Sequence, residues 1–213
     1  MRNLCFSIGL LIACFSDLQA QWQKCVGLNM LPLIARTIEL TSEFGPHPAY
    51  ALTVNVGYTH RSPFDGIVKV KVYDGVKDRQ SSGGFLKVGG RLYLLSLTGR
   101  QPPVNLFAGA QLIGSQYHQT GTVQIIDPGF SPVPQAPYVE ANGFVWGAAV
   151  TGGLTVRMAK RVTLDGGIQY GFQPTRHDYI GDRSFNYQPG FGISRTGSRV
   201  TSLQGILTVK YRL

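Results

Sequence analysis

The sequence predicts an all-β fold, an eight-stranded antiparallel up-and-down transmembrane β-barrel, and three observations predict it. Residues 199–213, RVTSLQGILTVKYRL, alternate in polarity to the end, with Leu203, Leu207, Val209, Tyr211 and Leu213 on one face and Ser202, Gln204, Thr208, Lys210 and Arg212 on the other. Seven further segments alternate in the same way, and the connections between them are short at one end and long at the other. The chain also opens on a secretory leader, while no later apolar run approaches the roughly 20 residues of a membrane helix. A two-faced strand needs partners on both edges, which closure of the sheet provides.

Residues 1–20 form the leader, with Arg2 as its basic start, an apolar run over residues 4–15 and Ala20 before the cut, leaving residues 21–213 as the barrel domain. Leu11, Ile12, Ala13 and Cys14 also have the form of a lipoprotein box, which keeps acylation of Cys14 open as the alternative processing route. After processing at residue 20, Cys25 is a single thiol with no metal-ligand spacing around it.

The alternating segments fall at 24–31, 36–44, 48–58, 84–96, 103–117, 143–157, 161–173 and 199–213. An even count suits a bacterial barrel, and about 9–11 residues cross the hydrocarbon core. With both termini in the periplasm, joins 45–47, 97–102 and 158–160 are periplasmic and short, while 59–83, 118–142 and 174–198 are external and long. The external turn near Pro32 is the exception. Residues 67–73, IVKVKVY, alternate too and read as a strand standing above the membrane, since a ninth spanning strand breaks the even count.

Hydrophobic residues make up 43% of the 213-residue chain and charged residues 15%, with 27 glycines, a balance that excludes disorder. The net charge of +9 suits an anionic lipid headgroup surface, and the cations are too scattered for a nucleic-acid site. Outward aromatics such as Tyr50, Tyr58, Trp146, Tyr170, Phe172 and Tyr211 gather toward strand ends, where amphipathic rings suit the headgroup zone.

The same register sends Glu39, Glu43, Lys87, Arg91, Arg157, Asp165, Lys210 and Arg212 into the lumen. Eight strands leave just enough room for side chains to fill the bore, so these charges are expected to pair and close it. Glu39 and Glu43 share a face, but general acid and base catalysis also needs a cleft and a perturbed carboxyl.

The stretches GLNMLPLIARTIELTSEFG, YALTVNVGY, GFLKVGGRLYLL and VNLFAGAQL, with the YRL terminus, resemble an uncharacterised family of small outer-membrane barrels of Bacteroidetes-type bacteria, of the OmpA/OmpX-like eight-stranded kind. The family pattern matches Asn29, Pro32, Leu33, Glu43, Gly84 and Phe85. The resemblance implies fold and outer-membrane location and carries no catalytic residues; the non-aromatic final residue departs from the general barrel-assembly signal.

Three function classes follow. An interaction barrel, not an enzyme, works through its external loops, the last of which carries Arg176, Tyr179, Arg183, Phe185, Tyr187, Phe191 and Arg195, anchor types for a protein or glycan. Its partners are outer-membrane lipid and lipopolysaccharide, and the assembly machinery through the last strand; no cofactor is expected. A barrel hydrolase of lipid A or peptides would use His60, His118 or His177 near Ser62, Ser115, Asp65 and Asp178, and the three histidines are also the weak metal candidates. A small channel would need space beside Gly147, Gly153, Gly167 and Gly171.

Overall fold

The computed structural model describes residues 23–63, 76–98, 102–123, 138–173, 185–195 and 200–213. The leader, residues 67–73, Asp65, Arg176, His177, Asp178, Tyr179 and Arg183 lie outside them. Ten strands are formed among the described residues: β1 (Gln23–Asn29), β2 (Thr37–His47), β3 (Tyr50–Pro63), β4 (Val76–Tyr93), β5 (Val104–Val123), β6 (Tyr138–Arg157), β7 (Val162–Gln173), β8 (Phe185–Gln188), β9 (Gly192–Arg195) and β10 (Val200–Arg212). Strands β1 to β7 and β10 pair antiparallel with their neighbours, and β10 returns to pair with β1, closing an eight-stranded barrel.

The polarity pattern makes this barrel inside-out. Along β2 every second residue from Thr37 to Gly45 is buried, and Ile38 and Leu40 between them stand exposed. The apolar residues of the other strands, among them Leu52, Val56, Leu86, Leu112, Phe144, Trp146, Val150 and Ile168, are exposed in the same way. An apolar band of this extent around a closed sheet is stable only against lipid, so the chain is an outer-membrane β-barrel. Tyr50 and Tyr211 stand toward the end of the barrel that holds the termini, the periplasmic end of the sequence reading, and Tyr58, Tyr170 and Phe172 toward the opposite, outer end, the last two packed edge to face at 4.8 Å.

Four features depart from the sequence reading. β1 stops at Asn29 because Pro32 carries no N–H for a ladder; the chain instead makes a 3-10 turn over Leu31–Ala35, ended by Arg36 in the left-handed region at φ 51°. Strands β4, β5 and β6 run for 18, 20 and 20 residues, about twice what the membrane requires. They take up residues 76–83, 118–123 and 138–142, which hydrophobic periodicity assigned to loops. Beyond the lipid the outward face becomes polar, so the apolar period fades while the backbone ladder continues, Val76 still facing Val123. β3 likewise reaches Pro63, past the expected end at 58, with a bulge at Arg61. The fourth departure is the hairpin β8–β9, which the 174–198 loop reading did not contain.

Candidate functional site

The lumen is filled at three levels. Nearest the periplasm, Arg91 on β4 and Lys210 on β10 lie between Glu43 on β2 and Asp165 on β7. The Arg91–Glu43, Lys210–Glu43 and Lys210–Asp165 distances are 2.7, 2.9 and 2.9 Å, and Arg91 also contacts Asp165 directly. The Tyr93 hydroxyl donates to Glu43 at 2.7 Å and accepts from Lys210 at 2.9 Å, while Thr155 donates to Asp165 at 2.8 Å. The Arg91 guanidinium also sits 4.2 Å from the centre of the Phe107 ring.

At the middle level Lys87 meets Glu39 at 2.7 Å with both side chains almost fully buried. Lys87 donates further to Gln169 at 3.0 Å and Gln204 at 2.9 Å, and Glu39 accepts from Gln204 at 2.9 Å and Asn29 at 3.2 Å. Gln111 donates to Gln169 at 2.6 Å, extending the group to β5. Three acids (Glu39, Glu43, Asp165) therefore face three bases (Lys87, Arg91, Lys210), and their formal charges cancel.

The outer level is built by the β8–β9 hairpin folding inward. Phe191 is fully buried against Ile113, Tyr117, Val145 and Ala149 of β5 and β6. The Tyr187 hydroxyl is 2.8 Å from that of Thr37, which is itself 2.8 Å from Thr59, and Gln169 donates to the Gly190 carbonyl at 3.0 Å. Burial pushes the Tyr187 phenol up to about 12, so it remains a neutral hydrogen-bonding group. The turn demands its glycine: Gly190 has φ 79°, and an added Cβ would lie 2.7 Å from the Phe85 ring.

The eight lumen candidates thus divide. Glu39, Glu43, Lys87, Arg91, Asp165 and Lys210 meet in the two charged levels. Arg157 is exposed and Arg212 half-buried, because each ends its strand at the periplasmic mouth, where both line a cavity of about 90 Å³ with Cys25 and Tyr93. Among the loop candidates, Tyr187 and Phe191 are corrected from external anchors to lumen filling; Phe185 opens β8 and Arg195 ends β9.

The hydrolase candidates are separated by the alternation of β5 and, in β3, by the bulge at Arg61. Ser62 and Ser115 are buried inside, whereas His60 and His118 point outside, so base and hydroxyl do not meet. His60 and His118 instead share a polar external cavity of about 520 Å³ with Tyr58, Arg61, Asp78 and Tyr138. No group of three His, Cys, Asp or Glu suited to a metal occurs among the described residues.

Sequence reasoning missed Asn29, Tyr93, Gln111, Gln169 and Gln204 as partners. The signal was their spacing: Gln169 lies four residues from Asp165, and Gln204 six from Lys210, on the same inward faces. Tyr93→Phe should remove the phenol bridging Glu43 and Lys210 while leaving the ring, lowering stability by about 1–2 kcal/mol in urea unfolding from lipid vesicles.

No protein-family model and no curated protein sequence matches the chain. Solved structures do. The chain is similar to the N-terminal β-barrel domain of Pseudomonas aeruginosa OprF, at 10% identity over 92% of this chain and 100% of that one, with a TM-score of 0.48. It is also similar to Neisserial surface protein A, at 10% identity over 91% and 95% and a TM-score of 0.45. A major outer membrane protein from Thermus thermophilus superposes with a TM-score of 0.51, at 12% identity over 90% of this chain and 98% of that one, a likeness of fold.

Proposed function

We propose that the chain is an interaction barrel of the outer membrane, a closed, non-enzymatic scaffold that presents a binding surface outside the cell. The observation that carries this reading is the filled lumen: two charge-neutral, buried levels lie beneath an inserted hairpin, which leaves the external end as the place for chemistry. There β4, β5 and β6 project well past the lipid belt, and their outer faces, with β3, form the cavity holding His60, His118, Arg61, Tyr58 and Tyr138. Tyrosines beside cations and neutral polar groups suit a glycan or the polar surface of a protein.

Lipid and lipopolysaccharide meet the apolar belt and the basic surface, and the assembly machinery meets β10, the closing strand. The pattern at Asn29, Pro32, Leu33, Glu43, Gly84 and Phe85 supports membership of the Bacteroidetes-type barrel family; Asn29 accepts from the Leu207 amide and caps the short β1, while Glu43 anchors the periplasmic charge level.

The test is binding of the refolded barrel in phosphatidylcholine vesicles to a glycan array and to immobilised mucin. A Tyr58→Ala, Tyr138→Ala variant, still heat-modifiable on gels, should lose the signal. Binding that persists in this variant refutes the cavity as the surface, and single-channel conductance of the wild type would refute the closed scaffold.

A further inference from the structure

The barrel wall has a gap beside β10. Strand β1 pairs with β10 from Cys25↔Arg212 to Asn29↔Thr208, and β9 pairs with it again only from Leu203↔Ile193. On that side residues 204–207 have no strand partner among the described residues, although β7 pairs with them on the other. The Leu207 carbonyl accepts from the Met30 amide at 2.7 Å and its amide donates to the Asn29 side chain at 3.0 Å. Beyond these bonds the wall is side chains of the Leu31–Ala35 turn, whose Leu31 lies so close over Gly205 that a Cβ there would come within 1.8 Å of it.

A cavity of about 160 Å³ occupies this gap. Its rim is made by lipid-facing residues, Ile34 at 69% and Leu203 at 52% exposed; its floor is made by lumen-facing residues, Tyr187 and Gln204, both buried. Residues of the two faces line one cavity only where no backbone ladder separates them. The rim is continuous with the apolar belt, since Leu203 belongs to both, and the gap lies beyond the outer end of β1. Apolar cavities of about 150 Å³ stay dry and take benzene-sized guests.

We propose that this gap is a lateral binding site for an acyl chain of an outer-leaflet lipid, which reaches through the wall to the Tyr187 ring. The site needs no opening of the external end and is independent of the glycan or protein surface above it.

The test uses the full mature chain reconstituted in phosphatidylcholine vesicles containing a phospholipid with a diazirine near the acyl terminus. After irradiation, mass spectrometry should find adducts on belt residues such as Leu112 and also on buried Tyr187. Ile34→Trp, a change at an exposed position that covers the rim, should abolish the Tyr187 adduct and leave the belt adducts; Leu31→Ala, which widens the gap, should increase it. Belt adducts without a Tyr187 adduct overturn the proposal. So does disulfide-linked dimer through Ile34→Cys at high dilution in lipid, which would assign the face to a second copy. Absence of all adducts would overturn the membrane barrel itself, and the site with it.

Discussion

Glu39→Lys is expected to abolish the heat resistance of the folded barrel. In the native lumen the Glu39 carboxylate has Lys87 at 2.7 Å and amide donors from Gln204 and Asn29, with Glu39 and Lys87 both almost out of contact with water. Removing one partner of a buried ion pair costs about 3–5 kcal/mol, because the other charge is left desolvated and unpaired. Reversal adds repulsion between two ammonium groups and turns two donors toward a cation. The drop should therefore exceed that of Glu39→Gln. The measurement is the temperature at which the compact gel species disappears, for E39K, E39Q and the exchanged pair E39K/K87E. The exchange restores the pair and should recover much of the loss, since the surrounding glutamines can present either end of their amides. An unchanged transition for E39K, or an exchanged pair as unstable as the single variant, would show that the middle level contributes no pairing energy.

The neutrality of the lumen also relocates the charge of the molecule. The three buried acids cancel the three buried bases, so the net charge of +9 belongs to the rest of the chain. Among the described residues outside these buried levels, Arg61 and Arg161 stand exposed at the two ends of the barrel. The external cavity joins Arg61 with His60 and His118 at one of these ends.

How much of this was legible in the sequence depends on what each residue faces. β10 and β7 were read with their faces correct because lipid imposes apolar residues outside and the lumen accepts Asp165, Gln169, Gln204 and Lys210 inside, giving a clean period of two. β5 carries the opposite lesson. It places Phe107, Ile113 and Tyr117 in the lumen as well as Leu106 and Leu112 in lipid, so polarity alone does not distinguish its faces. Ile113 and Tyr117 make sense once Phe191 is found packed on them, a contact between residues some 75 apart in sequence, and Phe107 once the Arg91 guanidinium is found over its ring. Arg and aromatic residues in a long Gly-rich segment carry the same composition whether they meet a partner or fill their own barrel, which is why Tyr187 and Phe191 read as external anchors. The outward turn of His118 away from Ser115 was accessible from strand parity, had β5 been extended past 117; His60 and Ser62 share a parity, and it is the bulge at Arg61 that puts them on opposite faces.

Gly190→Val should expel the β8–β9 hairpin from the lumen without unfolding the barrel. Valine at φ 79° is strained, and its branched Cβ would have to enter the Phe85 ring, itself held by Lys87 below and by close contact with Gly57 on β3. The hairpin's seat is worth disrupting in a second way: Phe191→Ala vacates a fully buried ring, a change that costs about 3–5 kcal/mol in a packed core. In both variants the loss is local. The eight barrel strands keep their ladders and the two charged levels keep their pairs, so compact gel migration should persist. What should change is access to the peptide bond after Arg195, which the β9 pairing to Thr201 and Ser202 protects in the wild type. Trypsin added outside sealed vesicles should cut there many times faster in G190V and F191A. Conductance should stay at the wild-type level, because Lys87, Glu39, Gln169 and Gln204 still fill the bore below the vacated seat. Cleavage at the wild-type rate would mean that the hairpin is not held by its buried turn. A conducting G190V barrel would mean that the hairpin, and not the charged levels, is what closes the lumen.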